Sequence, residues 1–152
     1  MPEEQQDTMI AVDSLVANEF AVELDGEPMT GVFRVSGLTT FKLASHGSET
    51  TMERVRDPFT LVKMVQRDGN NRFNKWLRET IAKTGGSRPR RNITIVAVDD
   101  GVETRRWAFQ GAWIAEVRYS DFDTGTTEMV EEIITIHYDS MSESWPATSN
   151  LE

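Results

Sequence analysis

The chain has 152 residues, no cysteine and a formal net charge of −9, from 25 acidic and 16 basic residues. The length suits one domain, 1–152, with a sizeable core, and the missing thiols exclude a disulfide framework or a cysteine metal site. No apolar run approaches the length of a membrane span, and the acidic opening MPEEQQDTM lacks the basic and apolar pattern of a secretory signal. Synthesis in a cytoplasm, without a signal peptide and without membrane insertion of the monomer, is therefore expected.

The charge is unevenly placed. Residues 1–41 hold eight acids and one base, residues 42–91 hold twelve bases and five acids, and residues 121–152 hold eight acids and no Lys or Arg. A basic middle between acidic ends suits a nucleic-acid binder if the bases share one face. It suits self-association equally, a positive patch on one copy meeting a negative patch on the next. A solvated surface is the plainest alternative.

In chain order, residues 1–17 are polar and weakly patterned, and are expected to be flexible or to order only on a partner. In Glu19–Leu24, Phe20, Val22 and Leu24 alternate with polar or small neighbours, Asp25-Gly26 signals a turn, and Phe33 and Val35 follow. This predicts a β-hairpin. Residues 39–57 have few large apolar residues and no clear period; so long a stretch reads as an extended arm, or a hairpin, that orders in an assembly. Lys42, His46, Glu49, Arg54 and Arg56 on it are candidate subunit contacts. From Phe59, a strand alternates Phe59, Leu61, Lys63 and Val65 with Thr60, Val62, Met64 and Gln66.

One segment reads as a helix, about 71–83. Phe73, Trp76, Leu77 and Ile81 fall at i, i+3, i+4 and i+8 and are expected to be buried; Asn70 or Asn71 can cap the start, and Gly85-Gly86 stops the end. A lone amphipathic helix in a β protein must lay its stripe against a sheet. The basic loop that follows carries Arg88, Arg90 and Arg91, which can bind phosphate or, as we favour, another subunit. Asn92–Val98 and Glu103–Gln110 form a hairpin about Asp99-Asp100-Gly101, Gly111 breaks or bulges the second strand, and Trp107, Phe109 and Trp113 are assigned to the core. The last strand, Met129–Tyr138, places Val130, Ile134, Ile136 and Tyr138 on one face, and a flexible tail is expected over 142–152.

The sequence offers no P-loop, no GxGxxG, no GxSxG and no HExxH. His46 and His137 stand alone, Glu131 and Glu132 point to opposite faces of a strand, and Asp121 and Asp123 are loop residues. No catalytic, cofactor or metal site is therefore expected, and no substitution among these six should abolish a chemical turnover. An enzyme is the weakest reading.

Four stretches resemble one family: EFAVELDGEPMTGVFRVSGL, PFTLVKMVQRDGNNRFNKW, RRNITIVAVDDGVETRRWAFQGAWIAEVRYSDF and TTEMVEEIITIHYDSMS. Together, over about residues 18–141, they resemble the tail tube proteins of contractile phages and phage-like contractile injection systems. Residues 39–57 depart from the pattern, since family members carry more glycine there. The resemblance implies a mainly β fold of two packed antiparallel sheets, a sandwich or partly closed barrel, with one flanking helix. It implies hexameric rings stacked head to tail into a hollow tube, a sheath outside, baseplate and tip proteins at the end, and protein cargo or DNA in the lumen. The type VI secretion tube subunit is similar in fold. A baseplate tube-initiator of the same fold and a monomeric small-ligand β-barrel are the alternatives.

Overall fold

Period-two patterning in the sequence becomes strand burial over most of the chain. The computed structural model describes residues 19–146, so the expectations for 1–17 and for the end of the tail lie outside the described residues. The strands are β1 (Phe20–Leu24), β2 (Glu27–Pro28), β3 (Val32–Ser36), β4 (Lys42–His46), β5 (Glu49–Glu53), β6 (Phe59–Met64), β7 (Arg91–Asp99), β8 (Val102–Tyr119), β9 (Glu131–His137) and β10 (Ser140–Ser144), and the helix is α1 (Arg72–Ala82). All pairings are antiparallel, in the order β2-β1-β7-β8-β9-β6-β3, with β10 also on β8 and β4–β5 as a separate pair. The order ends at β2 and β3 without closing, so the architecture is an open sandwich of two layers.

The two layers share β8. Its first part pairs with β7 and β10, and Trp113–Tyr119 pairs with β9. Val22, Leu24, Ile93, Ile95 and Phe109 from one layer meet Phe59, Leu61, Ile134, Ile136 and Tyr138 from the other region in one buried cluster. Phe109 lies between Phe59 (ring centroids 4.3 Å apart) and Tyr138 (4.7 Å).

The helix starts and stops as its sequence suggests. Asn71 is the cap, its side chain accepting from the Asn74 amide at 2.8 Å, and Gly85 and Gly86 follow with positive φ. Phe73 and Trp76 are buried, and Leu77 is partly buried against the core. Ile81, expected in the same stripe, is 73% exposed. Five residues past Trp76 it has turned about 140° round the helix, and Thr80 takes the inward place instead, donating to the Trp76 carbonyl at 2.8 Å.

Four further expectations change. The turn at Asp25-Gly26 forms, but it leads only into the two-residue β2; β3 pairs with β6 instead, so β1 and β3 are not a hairpin. A bulge between Val32 and Arg34 turns Val32 and Val35 toward the core and leaves Phe33 exposed. The tail is not frayed from residue 142, because Ser142–Ser144 pair with Arg106–Ala108. Of the core tryptophans, Trp107 is partly buried against the cluster, whereas Trp113 lies on the outer face, stacked on His137 and capped by the Arg90 guanidinium 4.5 Å from its centroid.

The displacement of Trp113 has a single backbone cause. Gly111 sits at φ +64°, at a shift in register between β7 and β8. Before it the odd-numbered Phe109 faces inward; after it the even-numbered Ala112 and Ile114 do. A Cβ at position 111 would collide with the Asp139 carboxylate, whose residue also donates its backbone N–H to the Gln110 carbonyl at 3.0 Å. Gly111→Ala is therefore expected to destabilise the fold by about 1–3 kcal/mol, from left-handed backbone strain and displacement of Asp139. Equilibrium urea unfolding measures this; an unchanged midpoint would show that the bulge relaxes freely.

Candidate assembly surfaces

The arm between β3 and β6 is a two-stranded ribbon, β4–β5, in register from Lys42↔Glu53 to His46↔Glu49 about a turn at Gly47. Leu43 lies opposite Met52, so the two side chains share one face, and Phe41 precedes on the same side. These residues are 55%, 67% and 58% exposed respectively. The other face carries Lys42, His46, Glu49 and Glu53. A two-stranded ribbon is at best marginal alone. This one is tied at its base: Arg54 donates to the Asp139 carbonyl at 2.6 Å, and Lys42 pairs with Asp57 at 2.7 Å. That exposed partner, through its hydrogen bond and then its charge, holds the Lys42 ammonium above its ordinary pKa.

The remaining candidates divide. His46 and Glu49 face each other at the ribbon tip, and Arg56 is exposed with no carboxylate partner among the described residues. Arg88, Arg90 and Arg91 bond within their own chain. Arg88 donates to the Lys83 carbonyl, and to that of Thr80 at 3.4 Å, bracing the end of α1. Arg90 pairs with Asp139 at 3.2 Å, and Arg91 bridges Glu79 (2.6 Å) and Asp25 (3.5 Å).

The opposite end of the β3–β6–β9 layer has a different character. Phe33, Met64, Met129 and Val130 line a groove of about 350 Å³, rimmed by Glu128 and Glu131. Beneath it lies the buried pair Lys63–Glu132, opposite each other in the β6–β9 register and 3.0 Å apart. The two residues are 0% and 2% exposed. The Lys63 ammonium also donates to the Met64 carbonyl at 2.8 Å and stands 4.9 Å from the Phe73 ring centroid; the Tyr119 hydroxyl donates to Glu132 at 3.3 Å. Burial first, then the charge of Glu132, pushes the Tyr119 phenol above its ordinary pKa, so it stays a donor. The sequence places Lys63 on the face of Phe59 and Leu61, a signal that a buried partner is required; the partner itself, on β9, has no local signature.

These surfaces present apolar and charged patches for contact, with no convergence of reactive groups. His46 is at the ribbon tip and His137 is stacked on Trp113. Among the described residues no group of three or more His, Asp or Glu is placed to hold a metal ion, and no helix is long and apolar enough to cross a membrane.

Comparison with known proteins decides the family. The profile of the T4-like virus tail tube protein gp19 matches residues 16–142. The chain belongs to this family. A tail tube protein is a structural component of a phage tail or of a contractile injection particle, and not an enzyme. No curated protein sequence matches the chain. Solved structures share the fold. A chain of an extracellular contractile injection system, the PVC sheath–tube complex in the extended state, superposes with a TM-score of 0.67 at 17% identity, covering 91% of this chain and 97% of that one. A chain from the cap structure of the anti-feeding prophage, described as its tube-terminating cap, gives 0.69 at 19%, covering 87% and 91%. Hcp1 from Flavobacterium johnsoniae gives 0.54 at 13%, covering 87% and 99%. At these identities the likeness is one of fold alone.

Proposed function

We propose that this tail tube protein assembles into hexameric rings that stack head to tail into a hollow tube. The tube is enclosed by a sheath, begins on baseplate and tip proteins, and passes protein cargo or DNA along its lumen. The subunit is made in the bacterial cytoplasm. The observation that carries this reading is the β4–β5 ribbon: it extends from the sandwich with Phe41, Leu43 and Met52 uncovered, an apolar face that further copies of the subunit would cover. Patches at opposite ends of one layer also favour contacts that propagate. The titles of similar structures, a sheath–tube complex and a baseplate, describe assemblies of those proteins and support the same partners here.

Deleting residues 44–52 is expected to leave the sandwich folded, since the ribbon adds nothing to the buried cluster. Circular dichroism checks the fold and negative-stain microscopy counts the particles. Rings and tubes from the parent, lost in the deletion, are the expected result. Single rings that never stack would indicate a tube-initiator, and monomers at every concentration and salt would overturn the proposal in favour of a ligand-binding sandwich.

A further inference from the structure

We infer that Phe122 is a lateral anchor: the acidic β8–β9 loop that carries it seats in the pocket at the start of α1 of the neighbouring copy in the same ring. This rests on the tube reading and adds a side-to-side contact to it.

The donor is unusual for an acidic loop. Phe122 is 82% exposed, more than any other large apolar side chain among the described residues, and stands between Asp121 and Asp123. The loop has a set shape. The Ser120 amide donates to the Glu131 carbonyl at 3.0 Å and the Glu131 amide to the Ser120 hydroxyl at 2.8 Å, which closes its base. Beside the tip, the Asp123 carboxylate accepts from the Gly125 amide at 2.8 Å. A loop already held in form loses little freedom on docking, and an aromatic ring brings much apolar area to the contact.

The receptor matches it in size and charge. Buried Met29 and Phe73 floor a pocket of about 490 Å³, and exposed Arg72 and Lys75 stand at its rim with Thr30. That is room for one aromatic side chain and the backbone beside it. Asp121, Asp123 and Glu128 have no cationic partner among the described residues; Lys75 has no carboxylate partner there, and Arg72 has only Glu27, at 3.8 Å. Two such loops meeting each other would set acid against acid, which is disfavoured.

Register places the two features so that a rotation joins them. Tyr119↔Glu132, Met64↔Glu131 and Val32↔Lys63 mark one end of the β8–β9–β6–β3 layer. The loop leaves that end from β8 and β9. The pocket opens at the same end beside β6 and β3, where Gln66 donates to the Thr30 hydroxyl at 2.9 Å. Three strand spacings, roughly 14 Å, separate β8 from β3. Donor and receptor thus stand at one level on opposite flanks, an arrangement that a rotation about an axis along the strands repeats until it closes.

The chain has no cysteine, so one introduced pair can be read in isolation. Thr124→Cys on the loop and Thr30→Cys at the pocket both alter exposed positions and leave Phe122, the acids and the rim cations in place. Under mild oxidation the double variant is expected to give a ladder of linked species that ends at the hexamer, while each single variant stays unlinked. Phe122→Ala is expected to lower the yield of rings about tenfold with an unchanged circular dichroism spectrum. Asp123→Lys and Lys75→Glu are each expected to lower it several-fold at low salt and together to restore it, and 1 M salt should erase these differences. A ladder running past the hexamer would move the contact between rings, and a link within one chain would show the loop closing on its own pocket; either overturns the lateral anchor. Rings and tubes without links, or Phe122→Ala rings at the parental yield, overturn it and leave the tube reading standing. Neither particles nor links would remove both readings.

Discussion

Lys63→Met alone is expected to destabilise the fold by about 3–5 kcal/mol, and Glu132→Leu alone by a similar amount, because each leaves a buried charge without its counter-ion. The surroundings support this. No water reaches Lys63, and the pair sits 3.0 Å apart with one supporting hydrogen bond on each side, from Lys63 to the Met64 carbonyl and from Tyr119 to Glu132. In Lys63→Met, the Glu132 carboxylate keeps only the Tyr119 hydroxyl; in Glu132→Leu, the ammonium keeps the Met64 carbonyl and the Phe73 ring. The double variant Lys63→Met with Glu132→Leu is expected to recover most of the loss, since apolar side chains of similar size can replace a buried ion pair at little cost. A double-mutant cycle by urea unfolding checks this, and a coupling below about 0.5 kcal/mol would show that the two charges act independently. The pair also fixes register. A one-residue slip of β6 on β9 would set Lys63 against Ile133 or Glu131 and carry it to the opposite face, leaving Glu132 buried without its counter-ion.

Trp76→Ala is expected to cost about 3–5 kcal/mol, the usual range for removing a buried aromatic. Trp76 joins helix to sandwich twice over. Its indole lies in the buried cluster with the strand residues, edge-on to its helix neighbour Phe73 (centroids 6.4 Å apart), and its Nε1–H donates to the Pro89 carbonyl at 3.0 Å. Trp76→Phe retains most of the apolar contact and removes the hydrogen bond, so its loss should be smaller, about 1–3 kcal/mol. In urea unfolding both should move the midpoint without changing the slope. A Trp76→Ala loss under 1 kcal/mol would mean the helix is peripheral to stability.

Local pattern was the readable part of this chain. The helix lies within a residue of the span its stripe and caps suggest, and β7, β9 and the β7–β8 turn fall where alternation and Asp99-Asp100-Gly101 place them. What the pattern misses depends on partners distant in sequence. Asp25-Gly26 has the chemistry of a hairpin turn, but whether the next strand pairs with β1 or β6 is decided by packing. One bulge residue at Gly111 exchanges the faces of a strand, so reading Trp107, Phe109 and Trp113 as a continuous inward set fails at its third member. Ile81 matched an i+8 spacing that ran past the width of the buried stripe. Among the contact candidates, charge alone marked Arg88, Arg90 and Arg91, while the ribbon register places His46 and Glu49 opposite each other at its tip and Arg56 lies exposed beyond its base. The groove was not legible because Phe33, Met64 and Met129 lie far apart in sequence and meet only through strand pairing.

The 18-residue β8 has a consequence for how the subunit yields under load. Two sheets held only by side-chain packing can slide or part like pages. Here one continuous backbone is stitched by hydrogen bonds to β7 and β10 along its first part and to β9 along its second. Shear applied to either layer is carried through covalent bonds into the other, and neither layer can melt without freeing half the ladder of the other. The sandwich therefore behaves as a single cooperative block, with the β4–β5 ribbon fastened to it at the ribbon's base.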